Sequence, residues 1–178
     1  LPFSGGAERD FFGGSVAVSG ETAVVQFQNQ LNAGNRGASF FVRTQGAWTE
    51  QQKISVPNTG SKLGKVGISG DSAIIGTSIY TRNGAAWSVQ ATLTPIADEA
   101  GSLFGEAGVA VDGDTAIVGA YAEDVATNVN QGAAYVFLRS PDTDGDGLPD
   151  DWETNGVSFD GVFIDLPAMG ADPRHKDI

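Results

Sequence analysis

The sequence predicts an all-β fold of antiparallel strands, and three observations support this prediction. Glycine accounts for 25 of the 178 residues whereas charged residues make up 18%, a balance typical of many tight turns between short strands. Apolar and polar residues alternate on both sides of those turns, which is the pattern of half-buried strands. One such hairpin occurs three times, as FGGSVAVSGETAVVQF (12–27), LGKVGISGDSAIIGTS (63–78) and FGEAGVAVDGDTAIVGAY (104–121).

The turn of this repeated hairpin carries a glycine in every copy. Gly20, Gly70 and Gly113 are 50 and 43 residues apart, within the range of a four-stranded propeller-type blade. Each glycine is followed by Glu or Asp and then by Thr or Ser. We therefore expect a two-residue turn in which the glycine supplies a positive φ.

A second hairpin follows in each copy. Trp48 and Trp87 occupy the same repeat position, at the start of its last strand, whereas the third copy ends after GAAYVFLRS (132–140) without that strand. The apolar positions of these strands are expected to form the sheet core. The sequence thus predicts about three antiparallel four-stranded blades, the last one incomplete. They make up a first domain, 1–141, with blades at about residues 10–57, 62–98 and 103–140.

The repeats resemble FG-GAP repeats, specifically the bacterial form FG-x-S-V-A-V-S-G-D-T-A-V-V-G-A followed by G-A-A-Y-V-F. The resemblance covers about residues 12–140 and implies a β-propeller in which each copy is one blade. Integrin-type members of the wider family carry calcium loops inside their blades. The turns of this chain, Ser19-Gly20-Glu21 and its two equivalents, are too short to wrap a metal ion, so no calcium is expected within the blades.

The last fifth of the chain, residues 142–178, is predicted to be a separate calcium-binding tail. It has ten acidic and two basic residues and begins with DTDGDGLPDDWE, which matches the calcium-loop template D-x-D-x-D-G-x5-E. Calcium takes six to eight oxygen ligands, and Gly147 permits the sharp turn. The alternative is a solvated acidic linker, as charge runs usually are. The predicted ligands are the side chains of Asp142, Asp144, Asp146, Asp150 and Glu153 and the carbonyl of Leu148.

The tail differs from an ordinary EF-hand because a strand, and not a helix, leads into the loop through Pro141. It resembles dockerin and thrombospondin type 3 calcium loops, which implies an extracellular structural element. Asp151 lies outside the ligand set and favours the start of a short helix, Pro149–Thr154, which Asn155-Gly156 would end. His175, the single histidine, is expected to be exposed. The carboxylates of Asp160, Asp165, Asp172 and Asp177 are expected at the surface, a second ion being the alternative.

The sequence argues against several classes of function. A net charge of −12 disfavours a nucleic-acid binder that follows phosphates. No run approaches the about 18 apolar residues of a membrane span. No nucleophile triad, H-E-x-x-H or P-loop is present, so we expect no catalytic activity.

Three functions remain open. The first is an extracellular calcium-stabilised propeller module for adhesion or self-assembly at a bacterial surface, where Leu1–Phe3 or the segment after Gly156 would pair with a neighbour's sheet edge. Its partner would be a second copy or another surface protein. The second is a carbohydrate-binding propeller that uses Trp48, Trp87 or Tyr121 at the blade rims to hold a glycan. The third is an accessory region of a larger secreted hydrolase.

Overall fold

The computed structural model describes residues 1, 4–29, 31, 36–56, 63–95, 101–139, 143, 148, 150–159 and 162–175. The chain forms two compact units, residues 1–137 and 138–178. The boundary predicted at 141–142 lies outside the described residues. In the part of the chain that is described, no helix is both long and apolar enough to cross a membrane.

The first unit begins with a four-stranded antiparallel sheet, sheet 1. Its strands follow chain order: β1 (Val16–Ser19), β2 (Thr22–Gln28), β3 (Arg36–Thr44) and β4 (Ala47–Ser55). A register shift in the pairing of β3 with β4 lies between Phe40 and Phe41. Both of these phenylalanines are fully buried, so the two faces of sheet 1 are both apolar at this strand.

Sheets 2 and 3 repeat this architecture. Sheet 2 has the order β5-β6-β7-β8 and sheet 3 has the order β11-β10-β9. The described residues thus give sheet 3 three strands, as expected from the shortened third copy, and the all-β prediction of antiparallel four-stranded sheets is confirmed. The strands are β5 (Val66–Ser69), β6 (Ser72–Ile75), β7 (Ser78–Asn83), β8 (Ala86–Thr92), β9 (Phe104–Asp112), β10 (Thr115–Ala120) and β11 (Ala133–Leu138).

The first hairpin of every sheet turns as predicted. Ser19 pairs with Thr22, so two residues form the turn in sheet 1, and the same spacing recurs in sheets 2 and 3. The turn glycines have φ values of 54°, 55° and 54°. Residues that have a side chain rarely adopt this left-handed backbone conformation, which explains the glycine at each turn.

The main core of the first unit lies between sheets 1 and 2. Val24 and Phe40 of sheet 1 pack with Val66, Ile68 and Trp87 of sheet 2. The first strands of the sheets are neighbours, with β1 beside β5 and β5 beside β9. The sheets therefore stack in chain order, each one covering a face of the next.

Close backbone packing also joins sheet 2 to sheet 3. The Lys65 N–H donates to the Gly105 carbonyl at 3.2 Å. A Cβ atom on the neighbouring Gly64 would lie 2.0 Å from that same oxygen. Glycine at position 64 is therefore required for this approach.

The second unit consists of short elements. These are α1 (Asp150–Asn155), β12 (Val157–Phe159), β13 (Val162–Ile164) and α2 (Leu166–Met169), with β12 and β13 paired antiparallel. Gly156 ends α1 with a φ of 72°, and its N–H donates to the Trp152 carbonyl at 2.7 Å. The helix predicted over Pro149–Thr154 is thus confirmed within one residue at each end.

Candidate calcium-binding loop

The structure describes half of the predicted calcium ligands. Leu148, Asp150 and Glu153 are described, whereas Asp142, Asp144 and Asp146 lie outside the described residues. No group of three or more metal-binding side chains occurs among the residues that are described. The ligand set therefore stays a prediction, and the described half of the loop gives the geometry below.

Asp150, at loop position nine, accepts two hydrogen bonds from Thr143, at loop position two. The Thr143 N–H donates to Asp150 Oδ1 and the Thr143 hydroxyl donates to Oδ2, both at 2.6 Å. A carboxylate oxygen has two lone pairs, so each oxygen keeps capacity for a cation or a bridging water. This contact brings the start of the loop to the start of α1, which is the closure that a wrapped ion needs.

Glu153, at loop position twelve, is the buried residue of α1. Its side chain is 1% exposed, and both carboxylate oxygens are shielded from solvent. Acidic side chains are almost never fully buried unless a cation or hydrogen-bond donors compensate their charge. A carboxylate at position twelve is the ligand that closes a calcium loop of this type, and for Glu153 this role stays a prediction.

Asp165 and Asp172 of the tail accept hydrogen bonds from nearby backbone N–H groups. The side chain of Asp165 caps α2 by accepting from the Ala168 N–H at 3.0 Å. Asp172 accepts from the Arg174 N–H at 3.1 Å, and this bond, with the nearby His175 ring, lowers the pKa of the Asp172 carboxyl. Asp165, Asp172 and His175 are exposed as predicted. Asp160 and Asp177 lie outside the described residues.

The aromatic residues of the carbohydrate hypothesis lie in three different environments. Trp87 is 3% exposed and stacks on Phe40, with ring centroids 4.2 Å apart. Trp48 is partly buried against the apolar cluster that contains Phe41. Tyr121 is exposed. Trp87 therefore serves the core and is not available to stack on a sugar.

The repeated turns form a ladder that the sequence reasoning missed. The Gly70 N–H donates to the Ser19 hydroxyl at 3.0 Å, and the Gly113 N–H donates to the Ser69 hydroxyl at 3.2 Å. The Ser69 hydroxyl also donates to Asp112 Oδ1 at 3.2 Å. The available signal was the side-chain oxygen directly before each turn glycine, in Ser-Gly, Ser-Gly and Asp-Gly.

A buried acid in the loop between β10 and β11 was also missed. Glu123 is 6% exposed, and its Oε1 accepts a hydrogen bond from the Tyr135 hydroxyl. Glu123 lies between β10 and β11, outside the repeated hairpin sequences, and so carried no repeat signal. The contact fastens the loop between β10 and β11 to β11 itself.

Comparison with known families identifies one repeat in the first unit. Residues 87–137 match the FG-GAP repeat. The matched segment starts at Trp87 in β8 and ends in β11, so it contains the last strand of sheet 2 and nearly all of sheet 3. No curated protein and no solved structure shows a significant match to the chain.

Proposed function

We propose that the chain is a non-catalytic, extracellular, calcium-binding propeller module that acts in adhesion or self-assembly at a bacterial surface. The observation that carries the proposal is the stack of repeated antiparallel sheets that contains the FG-GAP match. Such repeats are typically extracellular. The stacking of β1, β5 and β9 side by side is the arrangement expected of innermost blade strands around one axis.

The calcium part of the proposal rests on the tail. Its loop satisfies the calcium template in sequence. The buried Glu153 and the contact between Asp150 and Thr143 support a closed loop with hard oxygen ligands. Asp142, Asp144, Asp146, the Leu148 carbonyl, Asp150 and Glu153 would hold the ion. An ion held there would neutralise clustered carboxylates and so order the tail.

Calorimetric titration of the calcium-stripped protein tests this site. We expect one site with a dissociation constant of roughly 10⁻⁴–10⁻³ M, the range of extracellular modules. Glu153→Gln combined with Asp144→Ala should abolish it. Asp151→Asn is the matched control, since Asp151 is adjacent to the ligands but outside their set. An isotherm unchanged in the double variant would reject the ligand assignment.

Calcium should also protect the tail from proteolysis. An ion at ten times its dissociation constant stabilises the folded form by about 1.4 kcal/mol if it binds only that form. Cleavage near Pro141 should therefore be slower in calcium than in chelator. The Glu153→Gln variant should show no such difference. Equal cleavage rates of the unsubstituted protein in both conditions would contradict a structural role for the ion.

A further inference from the structure

The chain contains two Asn-Gly pairs, Asn83-Gly84 and Asn155-Gly156. In such a pair the backbone nitrogen of the glycine can attack the side-chain amide carbon of the asparagine. A nitrogen–carbon bond forms and closes a succinimide ring, while the side-chain NH2 group leaves as ammonia with the proton of the backbone nitrogen. Water then opens the ring to aspartate or isoaspartate. Since glycine offers no Cβ to hinder the attack, the surrounding structure decides which pair reacts.

The first pair lies in an open turn. Asn83 pairs with Ala86, so Gly84 and Ala85 form a two-residue turn between β7 and β8. Asn83 and Gly84 are both exposed, and a Cβ added to Gly84 would meet nothing within 4 Å. Within the ranges that the structure describes, neither the Gly84 N–H nor the Asn83 side chain makes a hydrogen bond. Both reacting groups are therefore free to approach each other.

The second pair is held closed by its backbone. Asn155 is also exposed, but it is the last residue of α1, and the Gly156 N–H donates to the Trp152 carbonyl at 2.7 Å. A Cβ added to Gly156 would lie 2.6 Å from the Ile164 carbonyl oxygen. The attacking nitrogen is thus engaged in a hydrogen bond, and the backbone around it has little room to rotate. Exposure alone does not distinguish the two pairs, whereas these backbone contacts do.

We propose that Asn83 is a site of spontaneous deamidation in the folded protein and that Asn155 is protected. The reaction needs only water as a co-reactant. The inference goes beyond the proposed function, because it requires neither calcium nor a partner.

The product at position 83 affects the contact between sheets 1 and 2. Isoaspartate continues the chain through its side-chain carbonyl, so the backbone gains one methylene group directly before the turn. The turn sets the register of β7 with β8. Strand β8 in turn positions Trp87, which is 3% exposed and stacks on Phe40 of sheet 1. Deamidation at Asn83 therefore weakens the core around Trp87, and the change accumulates with the age of the molecule.

Incubation of the intact chain in mildly alkaline buffer, followed by tryptic digestion and mass spectrometry, tests the proposal. Trypsin gives separate peptides for the two sites, 83–139 and 140–174, and fragment spectra assign the modified residue in each. Deamidation at Asn83 should be at least about tenfold faster than at Asn155, because the hydrogen bond and the restrained backbone at Gly156 both raise the barrier.

The same incubation in concentrated urea separates the effect of structure from that of sequence. Without the fold, both Asn-Gly pairs should react at similar rates. Equal rates at the two sites in the folded protein would overturn the proposal. So would a preference for Asn83 that persists unchanged in urea, because the turn would then have no part in it.

Urea unfolding of fresh and aged samples measures the consequence. The aged protein should unfold at a lower urea concentration than the fresh protein. Asn83→Gln is the matched variant, since it keeps the amide but would have to close a larger, less favourable ring. Its fresh and aged samples should unfold alike, and circular dichroism establishes that it is folded. Equal midpoints for fresh and fully deamidated unsubstituted protein would overturn the link between Asn83 and the core.

Discussion

The side chain of Gln52 links sheets 1 and 2 through the backbone of Trp87, and its removal should weaken the first unit measurably. Gln52 Nε2 donates to the Trp87 carbonyl at 2.9 Å, and the Trp87 N–H donates to Gln52 Oε1 at 2.6 Å. Each hydrogen bond contributes about 0.5–1.5 kcal/mol net. We therefore expect Gln52→Ala to lower the free energy of unfolding by about 1–3 kcal/mol.

Urea unfolding followed by near-ultraviolet circular dichroism measures this effect. With a slope of about 2 kcal/mol per molar urea, the midpoint should fall by about 1 M. Gln52→Glu keeps an acceptor for the Trp87 N–H but faces the Trp87 carbonyl with a second acceptor, so it should also destabilise. Gln90→Ala is the control, because Gln90 is an exposed residue of the same strand as Trp87. A Gln52→Ala midpoint equal to that of Gln90→Ala would refute the reasoning.

Two further predictions concern the stacked sheets. Gly64→Ala should destabilise the first unit by about 1–3 kcal/mol, because its Cβ would lie 2.0 Å from the Gly105 carbonyl oxygen, whereas Gly108→Ala meets nothing within 4 Å; equal urea midpoints for the two variants would contradict this. Burial raises the pKa of Tyr80 above its ordinary value of 10.0. As the pH rises above 10 the unfolded chain therefore loses this proton first, and stability falls. Tyr80→Phe should reduce that alkaline loss and the exposed Tyr121→Phe should not, a difference read from urea midpoints on either side of pH 10.

The turns and strands were predictable because their signals are local. A glycine in a two-residue turn has to adopt a positive φ, and Gly20, Gly70 and Gly113 all do. Alternating apolar residues on both sides then specify a strand pair. The incomplete third sheet followed from the same comparison, since GAAYVFLRS has no Trp-bearing strand after it.

The contacts between sheets were not predictable in the same way. Gln26 Nε2 donates to the Leu63 carbonyl across 37 residues of sequence, and Gln52 reaches Trp87 across 35. A polar side chain in a strand gives no sign of which distant carbonyl it will meet. The ladder through Ser19 and Ser69 likewise depends on the distance between stacked turns, which one repeat does not specify.

The candidate calcium site was likewise predictable only in part. The loop register and the short helix were predictable from residue types and spacing. The complete burial of Glu153 and the use of both Asp150 oxygens by Thr143 are three-dimensional facts. Both features depend on what packs around α1 in three dimensions, which residue types and spacing do not specify.

The segment that matches the FG-GAP repeat does not coincide with one sheet, because it begins in the last strand of sheet 2. This difference affects how such a chain can change in length. The segment 87–137 joins the outer strand of sheet 2 to the strands of sheet 3 through continuous backbone. Duplication or deletion of this segment within an array would insert or remove an outer strand together with the three strands that follow it. Every interior sheet would again have its four strands after such an event. Duplication in this frame would therefore add one sheet to the stack and leave the strand order of the preceding sheets unchanged.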